Sequence, residues 1–477
     1  MRGKARICVA TIAFGMGLDK ADVSGVVHMH LPSTPENFMQ EIGRAGRSNQ
    51  KAKAVAIIIP DDFVVKHSLT HSECLSRSQI NIFLLILQSI IEEAKIDVIG
   101  TPENLDVSLP TRVMIEAVDC KHESIVTILS YLESERLASA QLLLTLEGLY
   151  PDKATIVLKR NKIDKVALNE PILQYVRHCG VLVDASNESQ SLASNFSVTS
   201  GTAFEMGFAS YGHDVYNFSI MKCTRMMGIG TEPRHIYAAL RRLEKSGQIE
   251  LKFDRKEEQD LHLKITSKGL AFFCGSSLDE SGKTLEDLSK ELWTIFSDHE
   301  INVTSKCESM YEIMCRLDAE HRQITAFDTC DSKIGDAFKS STTRLFHKMM
   351  SDYFNGYRDV DATNPDIFST PIKQFPFDEI GCKSQLLTDV MSLTSDPSLH
   401  KPSSSRIAVR FGAQPYQDYT SIVLTKFFHG IDTPRIAISD WISHPLWAKY
   451  REFSFASMLA SVRAILCNRT HEGPLGH

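Results

Sequence analysis

VSGVVHMHLPSTPENFMQEIGRAGRSNQKAKAVAIIIP (Val23–Pro60) sets two apolar runs on either side of a polar, helix-like stretch. The runs, Val23–Leu31 and Ala52–Pro60, are continuous rather than alternating. Strands of that kind are buried on both faces, as in a parallel sheet covered by helices. Between them, Thr34–Arg47 opens with Ser33 or Thr34 as a cap and reads as a helix. Strand, helix and strand in this order predict a parallel α/β sheet. One further apolar run, RICVATIA (Arg6–Ala13), precedes them and ends at FGMG. That turn falls at the carboxyl end of the sheet, where such folds bind ligands.

Within the stretch, Arg44 and Arg47 stand three residues apart with only alanine and glycine between them. Glycine lets backbone approach a ligand, and alanine adds no obstruction. A guanidinium is always charged and forks onto phosphate oxygens. The i, i+3 spacing predicts that both leave one helical turn in the same direction. Such a turn suits a nucleotide triphosphate tail. For GRAGR taken alone, a solvated basic helix face is the competing reading.

Two motifs together say more. ATIAFGMGLDKADV (Ala10–Val23) followed by LPSTPENFMQEIGRAGR (Leu31–Arg47) resembles motifs V and VI of superfamily-two helicases, in the wording of the RecQ family. The resemblance implies that Arg44 and Arg47 reach ATP, held with Mg²⁺ on a partner lobe, and that Gln40 couples nucleotide to the lobes. It places Gly17 and Asp19 near the nucleotide and Thr11, Gly15 and Met16 against the DNA backbone. The plain reading of Gly15 and Gly17 is a turn. Arg47–Asn49 reads RSN where the family commonly has Arg-Asp-Gly.

Beyond Ala94 the likeness narrows to the Rothmund–Thomson-type and plant-like RecQ branch. It rests on SIVTILSYLESERL (Ser124–Leu137), RLFHKMMSDYFNG (Arg344–Gly356) and TKFFHGIDTPRIAISDW (Thr425–Trp441). The family's four-cysteine zinc element is absent, and no zinc is expected. The resemblance covers most of the chain in patches, with strict motifs only in the first 60 residues, and implies the C-terminal portion of such a helicase. There is no GxxxxGK[ST] loop and no DEAH-type box, and GKT at Gly282–Thr284 has Ser277 where the loop needs glycine. A sheet of roughly three strands would expose apolar surface. The chain is therefore expected to be a fragment or to be completed by a second chain, and to be inactive alone.

The expected fold is α/β: a partial RecA-like parallel sheet, then mostly helical and winged-helix-like α+β modules. The expected divisions are 1–75 for the second helicase lobe, 76–180 for helices and a first winged-helix-like region, and 205–275 for a second. A helical region follows over 285–356, then a proline-bearing linker over 357–405 and a helical C-terminal module over 406–470. Ile80–Ile91 is too short to cross a bilayer and reads as a buried helix.

Over its 477 residues the chain carries a net charge of −7, so nucleic acid would have to meet local patches. Met221–Lys256 is one, with nine Lys/Arg against four Asp/Glu. On Glu232–Gly247, Ile236, Ala239, Leu240 and Leu243 form an apolar stripe opposite Arg234, Arg241 and Lys245. That is how a winged helix meets phosphates, although a solvated face would look the same. Phe427, Phe428, Trp441, Trp447 and Tyr450 could stack on bases, but their helical spacing favours core packing. His67, His71 and Cys74 lack a fourth ligand nearby, so no metal site is assigned. Eleven cysteines without a CxxC pair suit a reducing compartment.

These readings point to the C-terminal part of a RecQ-type, ATP-dependent, 3′-to-5′ DNA helicase. It would act in the nucleus on single-stranded and branched DNA in replication, repair and recombination. The alternative is a non-catalytic winged-helix protein, binding DNA or a partner and retaining a helicase remnant. A superfamily-two RNA helicase is a third, weaker option.

Overall fold

Gly25–His28 (β1), Pro35–Ile42 (α1) and Lys53–Ala56 (β2) form the strand–helix–strand unit, with β1 parallel to β2 and Val27 opposite Val55. The computed structural model describes residues 6–11, 23–47, 51–96, 98, 103–138, 142–159, 171–179, 181–182, 213–227, 232–253, 260–275, 284–327, 332–356, 372–373, 376, 378–394, 413–434 and 436–471. The fold is mixed α/β, mostly helical, with small sheets. Two units divide the chain. One comprises Met1–Ser76, Ile295–Lys401 and Tyr416–His477; the other comprises Arg77–Thr294 and Pro402–Pro415.

In the first unit, residues 6–11 form no strand, contrary to the sequence reading, and Ile7 and Val9 are exposed. An extended segment becomes a strand only by pairing, and no strand among the described residues pairs with it. Val27, Met29, Val55, Ile57 and Ile59 are 45 to 63% exposed. The narrow sheet thus shows the apolar surface expected of it. Leu31 and Phe38, from the loop after β1 and from α1, are buried instead, and Pro60–Glu73 (α2) adds Phe63 to the same core.

The second unit begins with Arg77–Ile96 (α3), whose Ile80, Phe83, Leu84, Ile86, Leu87 and Ile91 are all buried. Leu105–Leu109 (β3) follows, within the region expected to open with helices. Its alternate residues Leu105, Val107 and Leu109 face the core. Next come Thr111–Val118 (α4), His122–Glu133 (α5), Leu144–Tyr150 (β4) and Lys153–Lys159 (β5). Pro171–Cys179 (α6), Val181–Leu182 (β6) and His213–Ser219 (β7) precede Ile220–Met227 (α7) and Pro233–Lys245 (α8). Glu250–Phe253 (β8), Asp260–Ile265 (β9) and Ser267–Cys274 (α9) complete it.

The strands do not pair as two successive ribbons. One sheet runs β3-β9-β4 and the other β6-β7-β5-β8. β4 pairs with β9, while β5 pairs with β8, so each ribbon takes one strand from either half of the unit. Asp152, between β4 and β5, fixes the crossover. Its Oδ1 accepts the Met221 amide at 2.8 Å and its Oδ2 accepts the Ser219 hydroxyl at 2.7 Å.

The remaining helices are Leu285–Phe327 (α10), Ser332–Phe354 (α11), Ile380–Thr394 (α12), Ala413–Phe428 (α13), Ile438–Trp441 (α14) and Phe455–His471 (α15). From Ile295 onward they count with the first unit, apart from the start of α13. Tyr311 stacks on Phe63 at 4.4 Å, and Phe346 meets Phe38 edge-on at 5.8 Å. The stretch read as a linker contains α12, which buries Leu386, Val390 and Leu393. Asp389 on α12 accepts the Tyr450 hydroxyl and the Lys449 ammonium, each at 2.5 Å. Phe427 and Phe428 are fully buried, and Phe427 packs edge-on against Trp441 and Trp447, each at 5.2 Å. These aromatics form core, as their spacing favoured.

Candidate functional site

Thr34 caps α1, its hydroxyl accepting the Asn37 amide at 3.2 Å, and Pro35 fits the first helical position. Glu36 in the first turn meets Lys306 Nζ at 2.9 Å and accepts the Tyr353 hydroxyl at 3.0 Å. Burial pushes its carboxyl up, but these bonds win and hold it down at about 2.

The helix ends sooner than its sequence suggested. Ile42 is its last residue, and Gly43 is the cap. Arg44 and Arg47 therefore stand on the turn that follows, not on one helical face. The cause is Gly46, whose φ of 75° is left-handed, and whose amide donates to the Val23 carbonyl at 3.1 Å. The Arg44 amide reaches the Glu41 carbonyl at 3.3 Å. Arg44 is partly buried, and among the described residues its guanidinium makes no hydrogen bond or ion pair. Arg47 is exposed, and its Nε donates to the Gly43 carbonyl at 3.3 Å. Gln40 is exposed on the last turn of α1, and Thr11 is exposed as well. Gly15, Met16, Gly17 and Asp19 lie outside the described residues.

Sequence reasoning missed one pair. His28 at the end of β1 places Nε2 2.6 Å from Glu41 Oε2, with its ring 5.1 Å from Phe38. The alternation of β1, which turns His28 toward α1, was the available signal.

An uncommitted guanidinium beside glycine-rich backbone can take phosphate oxygens by charge-assisted hydrogen bonds, so the turn fits a triphosphate. Among the described residues no group of three or more His, Cys, Asp or Glu could hold a metal ion. His67 and His71 share a helical face, with rings 4.7 Å apart, but His71 Nδ1 meets Glu300 at 2.5 Å. Of the GKT echo, Thr284 acts as a helix cap, its hydroxyl accepting the Asp287 amide at 3.2 Å.

The basic face of α8 is present. Ile236, Leu240 and Leu243 are buried, while Arg234, Arg241 and Lys245 are exposed. Arg234 pairs with Glu232. Arg241 meets Glu244 at 2.8 Å and lies 4.9 Å from the Phe253 ring centre. Lys245 makes no ion pair among the described residues. Behind this helix, the Tyr237 hydroxyl donates to the Pro151 carbonyl at 2.6 Å. Burial, then the nearby Asp152 carboxylate, push Asp260 up to about 7 against the pull of Ser108 and Lys153.

The family profile described as "Helicase conserved C-terminal domain" matches residues 1–49. ATP-dependent DNA helicase Q-like 5 of Arabidopsis thaliana is 35% identical over 131 residues, 27% of this chain. Probable ATP-dependent DNA helicase RecS of Bacillus subtilis is 41% identical over 86 residues, 18% of this chain. The human ATP-dependent DNA helicase Q4 is 48% identical over 60 residues, 13% of this chain.

The chain is related to the RecQ helicases.

The match spans 13%, 17% and 5% of those three RecQ-type relatives, so the chain corresponds to a small part of each. The matched profile includes the strand–helix unit and the arginine turn. Among the described residues no helix is long and apolar enough to cross a membrane.

Proposed function

We propose that the chain supplies the arginine-bearing half of an ATP-driven, 3′-to-5′ DNA helicase motor of RecQ type, with an accessory DNA-gripping region behind it. Arg44 and Arg47 neutralise charge on a triphosphate held with Mg²⁺ by another lobe, and Gln40 relays the state of the nucleotide. Gly17 and Asp19 border that nucleotide, and Thr11, Gly15 and Met16 follow the DNA backbone. Arg234, Arg241 and Lys245 meet duplex phosphates from a winged-helix-like unit. The substrates are single-stranded and branched DNA, and the setting is replication, repair and recombination in the nucleus. The observation that carries this reading is the partly buried Arg44 guanidinium, which has no partner among the described residues and stands in a RecQ-like motif.

Calorimetric titration of ATP into the isolated chain should show negligible binding, and micromolar affinity would contradict the division of labour. In a polypeptide extended upstream through a phosphate-binding loop, replacing both arginines by lysine should abolish DNA-stimulated ATP hydrolysis. Unchanged turnover would end the proposal.

The exposed basic face of α8 favours a second reading, a non-catalytic DNA- or partner-binding protein retaining a helicase remnant. Sequencing the 5′ end of the transcript separates the two. A message running upstream into a phosphate loop selects the motor, and a start at Met1 selects the binding protein.

A further inference from the structure

A carboxylate a few residues from an arginine in the chain is a ready competitor for its guanidinium donors. Glu41 stands in that relation to Arg44, in the same motif. Yet Arg44 carries no ion pair among the described residues, and Glu41 is turned the other way. Its carboxylate, 17% exposed, receives the His28 Nε2–H at 2.6 Å and has no other side-chain partner among the described residues. The His28 side chain is 10% exposed, and its Nδ1 is buried without a partner, so all its polar anchoring runs through Nε2. A carboxylate only accepts, which makes Nε2 the donor. Phe38 backs the ring at 5.1 Å and is itself braced by Phe346.

We infer that His28 is a positioning residue that sequesters Glu41, leaving the Arg44 guanidinium available to phosphate oxygens. This rests on the reading of Arg44 as facing a triphosphate. Two tethers from one strand region hold the turn: Val23 takes the Gly46 amide, and His28 takes the Glu41 side chain, whose own carbonyl takes the Arg44 amide. Without His28 the Glu41 carboxylate swings to Arg44 and competes with the ligand for the same donors.

The test titrates inorganic tripolyphosphate at millimolar concentration into the full chain, the weak range that the absence of micromolar ATP binding leaves open, and follows the Arg44 Nε resonance, assigned by its loss in Arg44→Lys. His28→Leu should bind about threefold more weakly than wild type, the effect of one partly exposed ion pair. Adding Glu41→Gln to His28→Leu should restore wild-type affinity, because the competing charge is gone. His28→Gln, which keeps a donor at the place of Nε2, should behave as wild type. A merely structural role would leave the double variant as weak as His28→Leu, and that result overturns the inference. So does wild-type affinity in His28→Leu. Should His28→Leu fail to fold, Glu41→Gln alone decides: affinity equal to or tighter than wild type supports the inference, and weaker affinity overturns it. If tripolyphosphate does not move the Arg44 resonance in the wild type, the underlying reading of the arginines fails instead, and the inference goes with it.

Discussion

The Gly46 amide donates to the Val23 carbonyl at 3.1 Å, across a turn that glycine alone enters without strain. One bond therefore joins Val23, two residues before β1, to Gly46, which stands between the two arginines.

Gly46→Ala tests that bond. A side chain at a φ of 75° costs about 1–2 kcal/mol. Urea unfolding should register this loss in the first unit, and the tripolyphosphate response of Arg44 should weaken with it. Stability and response both unchanged would show that the left-handed turn does not set the arginines.

The basic face of α8 makes a salt-dependence prediction. Arg241→Glu/Lys245→Glu should lower the slope of log affinity for duplex DNA against log salt by about two, one for each phosphate no longer neutralised. Equal slopes for variant and wild type would remove α8 from the interface.

Asp260 predicts how the second unit responds to pH. Its carboxyl is raised to about 7 in the folded chain, against 3.8 ordinarily. Between those values the folded state holds the proton and the unfolded state has released it. Stability therefore falls as pH rises from about 4 to about 7. Asp260→Asn should flatten that fall by on the order of 4 kcal/mol, read from urea midpoints at several pH values. A profile with the same slope in the variant would assign the pH dependence elsewhere.

Phe427 separates core from ligand roles in the C-terminal module. It is fully buried among Trp441, His444 and Trp447. Phe427→Ala should cost about 3–5 kcal/mol. Thermal unfolding would check it, and a variant with wild-type stability but weakened single-strand binding would reverse the assignment.

The strand–helix–strand unit was legible because continuous apolar runs and a capped polar stretch are local signals. The end of α1 was not, because Ile42 gives way to the turn through a hydrogen bond to Val23, distant in sequence. For the same reason the exchange of β8 and β9 was invisible: each strand showed its own apolar pattern, but pattern does not name a partner. β3 was hidden by SLPTRV, whose residues also suit a helix start. α12 was hidden by flanking prolines, although its Leu386, Val390 and Leu393 repeat at helical spacing. At the site the arginines announced themselves by type and spacing. His28 did not, since a histidine after two valines reads as the end of a strand until Glu41 is seen beside it.

The exchanged strands also set a timetable for synthesis. β3 and β4 both lie against β9, and Leu105 and Leu144 alike wait for Ile265. While the ribosome is still making the intervening segment, their edges have no neighbour to take their amides and carbonyls. The second unit therefore closes late and all at once, and its nascent form is where chaperones would be needed most.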